Sequence, residues 1–213
     1  MKTAICYRGH YYREEPHGSN FFLNLDNNKQ KVWNCFSDYD IFLHTYSVNQ
    51  QLDKKLIDLV NPTAYKIEND ESTEIRKSIL KVNSMMTDEY DFIINLRFDL
   101  QFNVSFVDLN IEYNKFNFLW RERKPMWRKK GATSDFLFAY HTKFREKFED
   151  SYGLLYDEML KKNNSRRDGH LIYNTLKTIV NENEINFLIA DYIQSGKADK
   201  LNNKYITLNR NIK

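Results

Sequence analysis

Short apolar segments alternate along the first half of the chain with segments whose apolar residues recur at helical spacing. Strands are predicted at residues 2–7, 40–46, 64–67 and 90–98, each bounded by a turn or a polar stretch. Helices are predicted at residues 19–36, 50–60 and 71–86, where the apolar positions fall on one face. Three strand–helix repeats before the strand at 90–98 predict a mostly parallel sheet covered on both faces.

The second half of the chain continues with a less regular mixture of the same elements. Strands are predicted at residues 116–120 and 135–140, with weaker candidates at 186–190 and 205–208. Helices are predicted at residues 142–162 and 168–180. We therefore expect an α/β fold in which a mixed, mostly parallel central sheet is flanked by helices within a single domain, residues 1–213.

Composition and charge narrow the class of protein. The 213 residues are 41% hydrophobic and 29% charged, a globular composition with enough chain to bury a core. Cys6 and Cys35 form neither a disulfide framework nor a zinc motif, so we expect a reducing, cytoplasmic location. No apolar run suits a signal sequence or a membrane span. The net charge of +3 is too balanced to indicate a nucleic-acid partner, and none is expected.

Polar residues that follow the strands are the first candidates for chemistry, because parallel sheets bind ligands outside the carboxyl ends of their strands. Arg97 and Asp99 end the most apolar strand of the chain. Asp99 has the carboxylate oxygens that a divalent cation prefers, and Arg97 can pair with a phosphate or fix Asp99 in place. The alternative is that Asp99 only ends the strand.

Two further groups of residues are expected at the same edge. Tyr7, Arg8 and Gly9 end the first strand, where the glycine allows close backbone approach and the arginine can reach a phosphate. His44, Thr45 and Tyr46 end the second strand. Together with Asp99 they predict a nucleotide pocket, although the dinucleotide-binding glycine motif is absent.

Later acidic and histidine side chains supply candidate catalytic groups. Asp135 follows a small polar turn and can orient a sugar hydroxyl, or simply cap that turn. Asp168 suits a helix N-cap, and the arginines before it favour an anion at the helix start. His170 is a candidate metal ligand or phosphate contact. By contrast, the Asp38-Tyr39-Asp40 motif precedes its strand and is interpreted as a turn, because the amino end is the wrong edge for a ligand.

The order of these elements resembles a nucleotide-sugar glycosyltransferase of the GT-A fold, and more closely the N-terminal domain of a large glycosyltransferase of the chlorella-virus type. The resemblance rests on a first strand ending in a basic residue and glycine, an arginine-bearing helix, a central strand ending in an aspartate, and a later aspartate-led strand. The matching segments are Arg8-Gly9, DIFLHTY at 40–46, Arg76, YDFIINLRFDL at 90–100, SDFLFAYHTKF at 134–144 and the DGH at 168–170.

The resemblance implies a UDP-sugar donor, a glycan acceptor and Mn²⁺ or Mg²⁺. Asp99 matches the last carboxylate of the family's DxD motif, while Arg97 replaces the first. This departure implies either a weakened metal site or another residue, with His170 as the candidate, that completes the metal shell. Arg76 joins the diphosphate-binding arginines, and Asp135, then Asp168, is the preferred catalytic carboxylate. Retention of anomeric configuration and a role in capsid glycan synthesis are weaker implications.

The same resemblance divides the domain into parts. A nucleotide-binding half covers about residues 1–100, a catalytic and acceptor half about 101–190, and a polar tail about 191–213. The polar tail would suit a domain boundary, with further domains expected after Lys213.

Two other functions stay open from the residues alone. A metal-dependent nuclease would use Asp99 with Glu122 and Lys124 on an adjacent strand. In that case the basic residues at 121–130 would bind the phosphates of the nucleic acid. A nucleotide- or glycan-binding module without catalysis is the other alternative, because the first carboxylate of the DxD is missing.

Overall fold

A computed structural model of the chain describes residues 1–13, 19–69, 77–123, 131–161, 172–193 and 203–208. The strands, in chain order, are β1 (Thr3–Arg8), β2 (Tyr12–Arg13), β3 (Ser19–Asn20), β4 (Tyr39–Tyr46), β5 (Ala64–Glu68), β6 (Phe92–Arg97), β7 (Leu100–Phe102), β8 (Phe116–Phe118), β9 (Arg121–Glu122), β10 (Leu137–His141), β11 (Ile185–Phe187), β12 (Tyr192–Ile193) and β13 (Ile206–Leu208). The α-helices are α1 (Phe21–Lys31), α2 (Gln50–Val60), α3 (Ser78–Asn83), α4 (Arg145–Lys161) and α5 (Ile172–Leu176).

A seven-stranded central sheet has the order β11-β8-β10-β6-β1-β4-β5. β1 pairs in parallel with both β4 and β6, and β4 pairs in parallel with β5. β10 is antiparallel to β6 and β8, while β11 is parallel to β8. The prediction of a mixed, mostly parallel α/β sheet is therefore confirmed.

Both faces of this sheet are buried, which explains why its central strands are almost continuously apolar. Successive residues of β1 alternate between the two faces: Ile5 and Tyr7 join the core cluster that includes residues of α1 and α2. Ala4 and Cys6 join the cluster formed with residues of α3, α4 and α5. Each fully buried large side chain contributes about 1.5–3 kcal/mol by leaving water.

Local sequence fixes the ends of the helices. Asn20 begins α1 and Asn49 begins α2, each with a side-chain oxygen that accepts from a backbone N–H of the first turn. Asn61 ends α2 in the left-handed conformation, at φ 49°, immediately before Pro62. The helix predicted at 19–36 is shorter in the structure: α1 ends at Lys31, and a separate 3₁₀ turn at Trp33–Cys35 follows it.

The predicted polar tail is in part a packed element. β13 pairs antiparallel with β7, and its Ile206 and Leu208 are buried in the core. This segment therefore confirms the weaker strand candidate at 205–208, which lies within the predicted polar tail. The small sheet of β9 and β12 likewise lies outside the central sheet.

Tyr7 belongs to the core, which corrects its prediction as a nucleotide contact. Its side chain is fully buried and its ring stacks on Phe98 at 5.3 Å. Its hydroxyl donates to Asn28 Oδ1 at 2.8 Å and accepts from Trp33 Nε1 at 2.8 Å. Burial therefore raises the pKa of Tyr7 far above its ordinary value.

Tyr7→Phe is expected to destabilise the fold without affecting ligand binding. The change leaves Asn28 Oδ1 and Trp33 Nε1 buried without their shared partner, at a cost of about 1–3 kcal/mol in the free energy of unfolding. Urea denaturation measures this, with Tyr65→Phe at a half-exposed position as the control. An unchanged denaturation midpoint in the Tyr7 variant would show that the hydrogen-bonded cluster contributes nothing.

Candidate functional site

A row of three polar side chains crosses the carboxyl edge of the sheet, meaning the ends of β4, β1 and β6. Arg8 is in register with His44 on one side and with Arg97 on the other. Because side chains alternate along a strand, residues paired in register point to the same face. All three therefore lie on the face that also carries Cys6 and Phe42, next to α3 and α4.

Arg97 and Asp99 form a two-pronged ion pair at the end of β6. Arg97 donates from Nε to Asp99 Oδ1 at 3.0 Å and from Nη2 to Asp99 Oδ2 at 2.7 Å. Asp99 is only 4% exposed, whereas the Arg97 side chain is 28% exposed. Burial acts to lower the pKa of Arg97, but the charges of Asp99 and Asp135 outweigh it and raise that pKa. Arg97 thus stays charged, and part of its side chain remains exposed.

Asp135 lies beside both arginines. Its Oδ2 is 3.9 Å from Nη1 of Arg97, and its backbone carbonyl accepts a hydrogen bond from Nη2 of Arg8. The backbone N–H of Arg97 donates to the carbonyl of Phe136 at 3.0 Å, which holds the segment before β10 against the end of β6. With a side chain 25% exposed, Asp135 is a carboxylate that a ligand can reach.

Arg8 is a buried cation. It is 6% exposed, and its Nε has no hydrogen-bond partner among the described residues. Burial lowers the pKa of Arg8, partly offset by Tyr152 of α4 and by Asp135. Its guanidinium lies 5.6 Å from the centre of the Phe138 ring. A buried arginine with unused donor capacity is well suited to an incoming anion.

His44 lies beside Arg8 as a buried neutral imidazole. Its Nε2 is 3.4 Å from Glu68 Oε2, and burial lowers its pKa to about 4 despite that carboxylate. Lys81 donates to Glu68 at 2.6 Å and holds the pKa of Glu68 at about 2. Sequence reasoning missed Glu68 and Lys81. Glu68 ends the third parallel strand, so the carboxyl-end rule applied to β5 would have found it.

Gly9, Thr45 and Tyr46 shape the backbone beside the row. Gly9 has φ +94°, a conformation that favours glycine, and its N–H donates to the carbonyl of His44 at 3.2 Å. Thr45 donates its hydroxyl to the Gly9 carbonyl at 2.7 Å, so it fixes the loop. Tyr46 is buried, with its ring 5.1 Å from that of His10.

The other candidates are elsewhere. Arg76, Asp168 and His170 lie outside the described residues, so their roles stay predictions. Asp40 lies at the amino end of β4, where it accepts from Thr63 and Tyr90 at 2.7 and 2.8 Å.

The described residues do not fit the predicted Mn²⁺ or Mg²⁺ ion. Both oxygens of Asp99 accept from Arg97, so a cation there would have to displace a charge-assisted pair. Among the residues described, no group of three or more His, Cys, Asp or Glu side chains is placed to hold a metal ion.

The nuclease alternative requires Asp99 and Glu122 on adjacent strands. Glu122 lies in β9, which pairs with β12 in a separate sheet, whereas Asp99 follows β6 of the central sheet. Lys124 lies outside the described residues. Asp99 and Glu122 are therefore not on adjacent strands of one sheet, unlike the arrangement expected for a nuclease.

The fold is similar to that of known glycosyltransferases. The apo crystal structure of the glycosyltransferase GlyE from Streptococcus pneumoniae TIGR4 superposes with a TM-score of 0.52 at 15% identity, covering 86% of this chain and 44% of that one. A second GlyE crystal structure gives 0.51 at 13% identity, with 89% and 46% covered. This chain thus spans less than half the length of either. No protein-family model and no curated protein sequence matches it. The likeness establishes a glycosyltransferase-like fold.

In the part of the chain that the structure describes, no helix is both long enough and apolar enough to cross a membrane.

His44 is expected to make stability depend on pH. Its pKa is lowered from 6.5 to about 4 in the folded chain, so the unfolded chain binds more protons between those values. Stability is therefore full above pH 6.5 and falls as the pH drops, by up to about 2 kcal/mol near pH 5. Glu68 adds to the loss only below 4.5, as its folded pKa of about 2 is approached.

Comparing urea denaturation of the wild type and His44→Gln at about pH 7.5 and pH 5 isolates this contribution. The variant is expected to lose less stability than the wild type over the same interval. Equal losses would show that His44 titrates alike in the folded and unfolded chains.

Proposed function

We propose that this chain is a glycosyltransferase that moves a sugar from a UDP-sugar donor to a glycan acceptor. One observation carries the proposal: Arg8 and Arg97 lie in register at the carboxyl edge of a mostly parallel sheet, beside the carboxylate of Asp135. This is the edge at which such sheets bind ligands, and arginine suits a diphosphate. The likeness to GlyE supports the reaction class, although a fold by itself fixes no activity.

The chemistry of the row suits the departure of a nucleoside diphosphate. Breaking the anomeric C–O bond leaves negative charge on the diphosphate, and positioned cations stabilise that charge as it develops. Arg8 and Arg97 would supply the positive charge from fixed positions on neighbouring strands. The neutral His44 would add no positive charge at neutral pH.

Asp135 is the carboxylate placed to act on the sugar. It would stabilise positive character at the anomeric carbon or orient the acceptor hydroxyl. Asp168 remains the second choice for this role, and retention of configuration remains a prediction. The sugar type and a role in viral capsid glycans likewise rest on sequence resemblance alone.

Asp135→Asn is expected to lower turnover of a UDP-sugar by at least about 100-fold while leaving UDP affinity within about threefold. The amide keeps the size of the side chain but removes the charge that acts on the sugar. Release of UDP from UDP-glucose and UDP-galactose measures turnover, and calorimetry measures UDP affinity.

Asp38→Asn is the matched control, because Asp38 is exposed at the amino edge of the sheet. It is expected to keep wild-type turnover. Normal turnover in the Asp135 variant would remove Asp135 from the mechanism. UDP binding by the wild type without turnover of any UDP-sugar would favour a catalytically inactive binding module instead.

A further inference from the structure

We infer that the donor diphosphate is bound by the Arg8–Arg97 pair without a divalent cation, and that Asp99 positions Arg97 instead of ligating a metal. The inference rests on the proposed function and departs from the metal dependence that the sequence resemblance implies.

The carboxylate of Asp99 is already engaged by Arg97. A hard cation needs free carboxylate oxygens. Both oxygens of Asp99, however, accept hydrogen bonds from Nε and Nη2 of Arg97, at 3.0 and 2.7 Å. The carboxylate is also nearly enclosed, at 5% side-chain exposure. Its negative charge is therefore directed at Arg97, and a metal would leave that guanidinium beside a second cation.

The guanidinium of Arg97 is held in one orientation by its neighbours. Nε and Nη2 are held by Asp99, and the guanidinium lies over the ring of Phe136 at 4.9 Å. The edge that carries Nη1 makes only a 3.9 Å ion pair with Asp135 among the described residues. That distance exceeds a hydrogen bond, so Nη1 retains donor capacity for a phosphate oxygen.

Arg8 places a second cation beside Arg97. Arg8 is 6% exposed, and its Nε has no hydrogen-bond partner within the described ranges. Its position in register with Arg97 gives two fixed guanidinium groups on adjacent strands. Two arginines next to one another match the two phosphates of a nucleoside diphosphate. The positive charge that a metal would bring is thus already present in the sheet.

Calorimetry with UDP tests the inference on the wild-type chain, in buffer with EDTA and in buffer with Mn²⁺. The UDP dissociation constant is expected to agree within about threefold between the two conditions. Binding that requires Mn²⁺ would overturn the inference and leave the proposed function intact. Absence of UDP binding in both conditions would overturn the proposed function as well.

Variants measured in EDTA then test the residues. Arg97→Met is expected to weaken UDP binding at least about tenfold, and Asp99→Asn to weaken it several-fold, with the double variant no worse than Arg97→Met alone. Such non-additivity is the signature of Asp99 acting through Arg97, and a merely structural role would not produce it. Additive losses would overturn the positioning role.

Lys54→Met is the control for loss of a positive charge, because Lys54 is 74% exposed and pairs only with Asp58 four residues along the helix among its described neighbours. It is expected to keep wild-type UDP affinity. Bound Mn²⁺ detected by electron paramagnetic resonance in the wild type but lost in Asp99→Asn would show that Asp99 ligates a metal after all.

Discussion

The parallel register of β1 with β4 and β6 is the constraint on which the candidate site depends. Because Arg8 pairs with His44 on one side and Arg97 on the other, three polar side chains end on one face of one edge. A shift of one residue in β1 would send Arg8 to the opposite face. The alternation of Ile5 and Tyr7 with Ala4 and Cys6 between two cores makes such a shift costly, so the core itself fixes the site.

Burial gives this row its electrostatic character. An arginine and an imidazole are held where water is largely excluded, so the imidazole stays neutral and the guanidinium remains under-solvated. Arg97 differs, because Asp99 accepts hydrogen bonds from its Nε and Nη2 while part of the side chain stays exposed. The row thus combines the hydrogen-bonded Arg97–Asp99 pair with the buried cation of Arg8, whose unused donor an anion can accept from. Charges pre-arranged in this way need little reorganisation when a ligand arrives.

The strand–helix pattern was enough to predict the sheet. Strands buried on both faces are short, continuous apolar runs, which stand out clearly from the polar sequence around them. The carboxyl-end rule then selected Arg8, His44 and Arg97 correctly as neighbours. It could not distinguish Tyr7 from Arg8, since only alternation between faces sends one into the core and the other to the edge. Nor could the rule show that Arg97 donates to both carboxylate oxygens of Asp99, because that contact depends on the orientation of the two side chains. The packed segment at Ile206–Leu208 was only a weak strand candidate, because it is short and stands in polar sequence.

A nucleoside diphosphate is expected to bind at the row formed by His44, Arg8 and Arg97. A crystal structure of the chain with UDP tests this most directly. The diphosphate oxygens are expected to lie within hydrogen-bond distance of Arg97, at the carboxyl ends of β1 and β6. A diphosphate bound at the amino edge, beside Asp38 and Asp40, would contradict it.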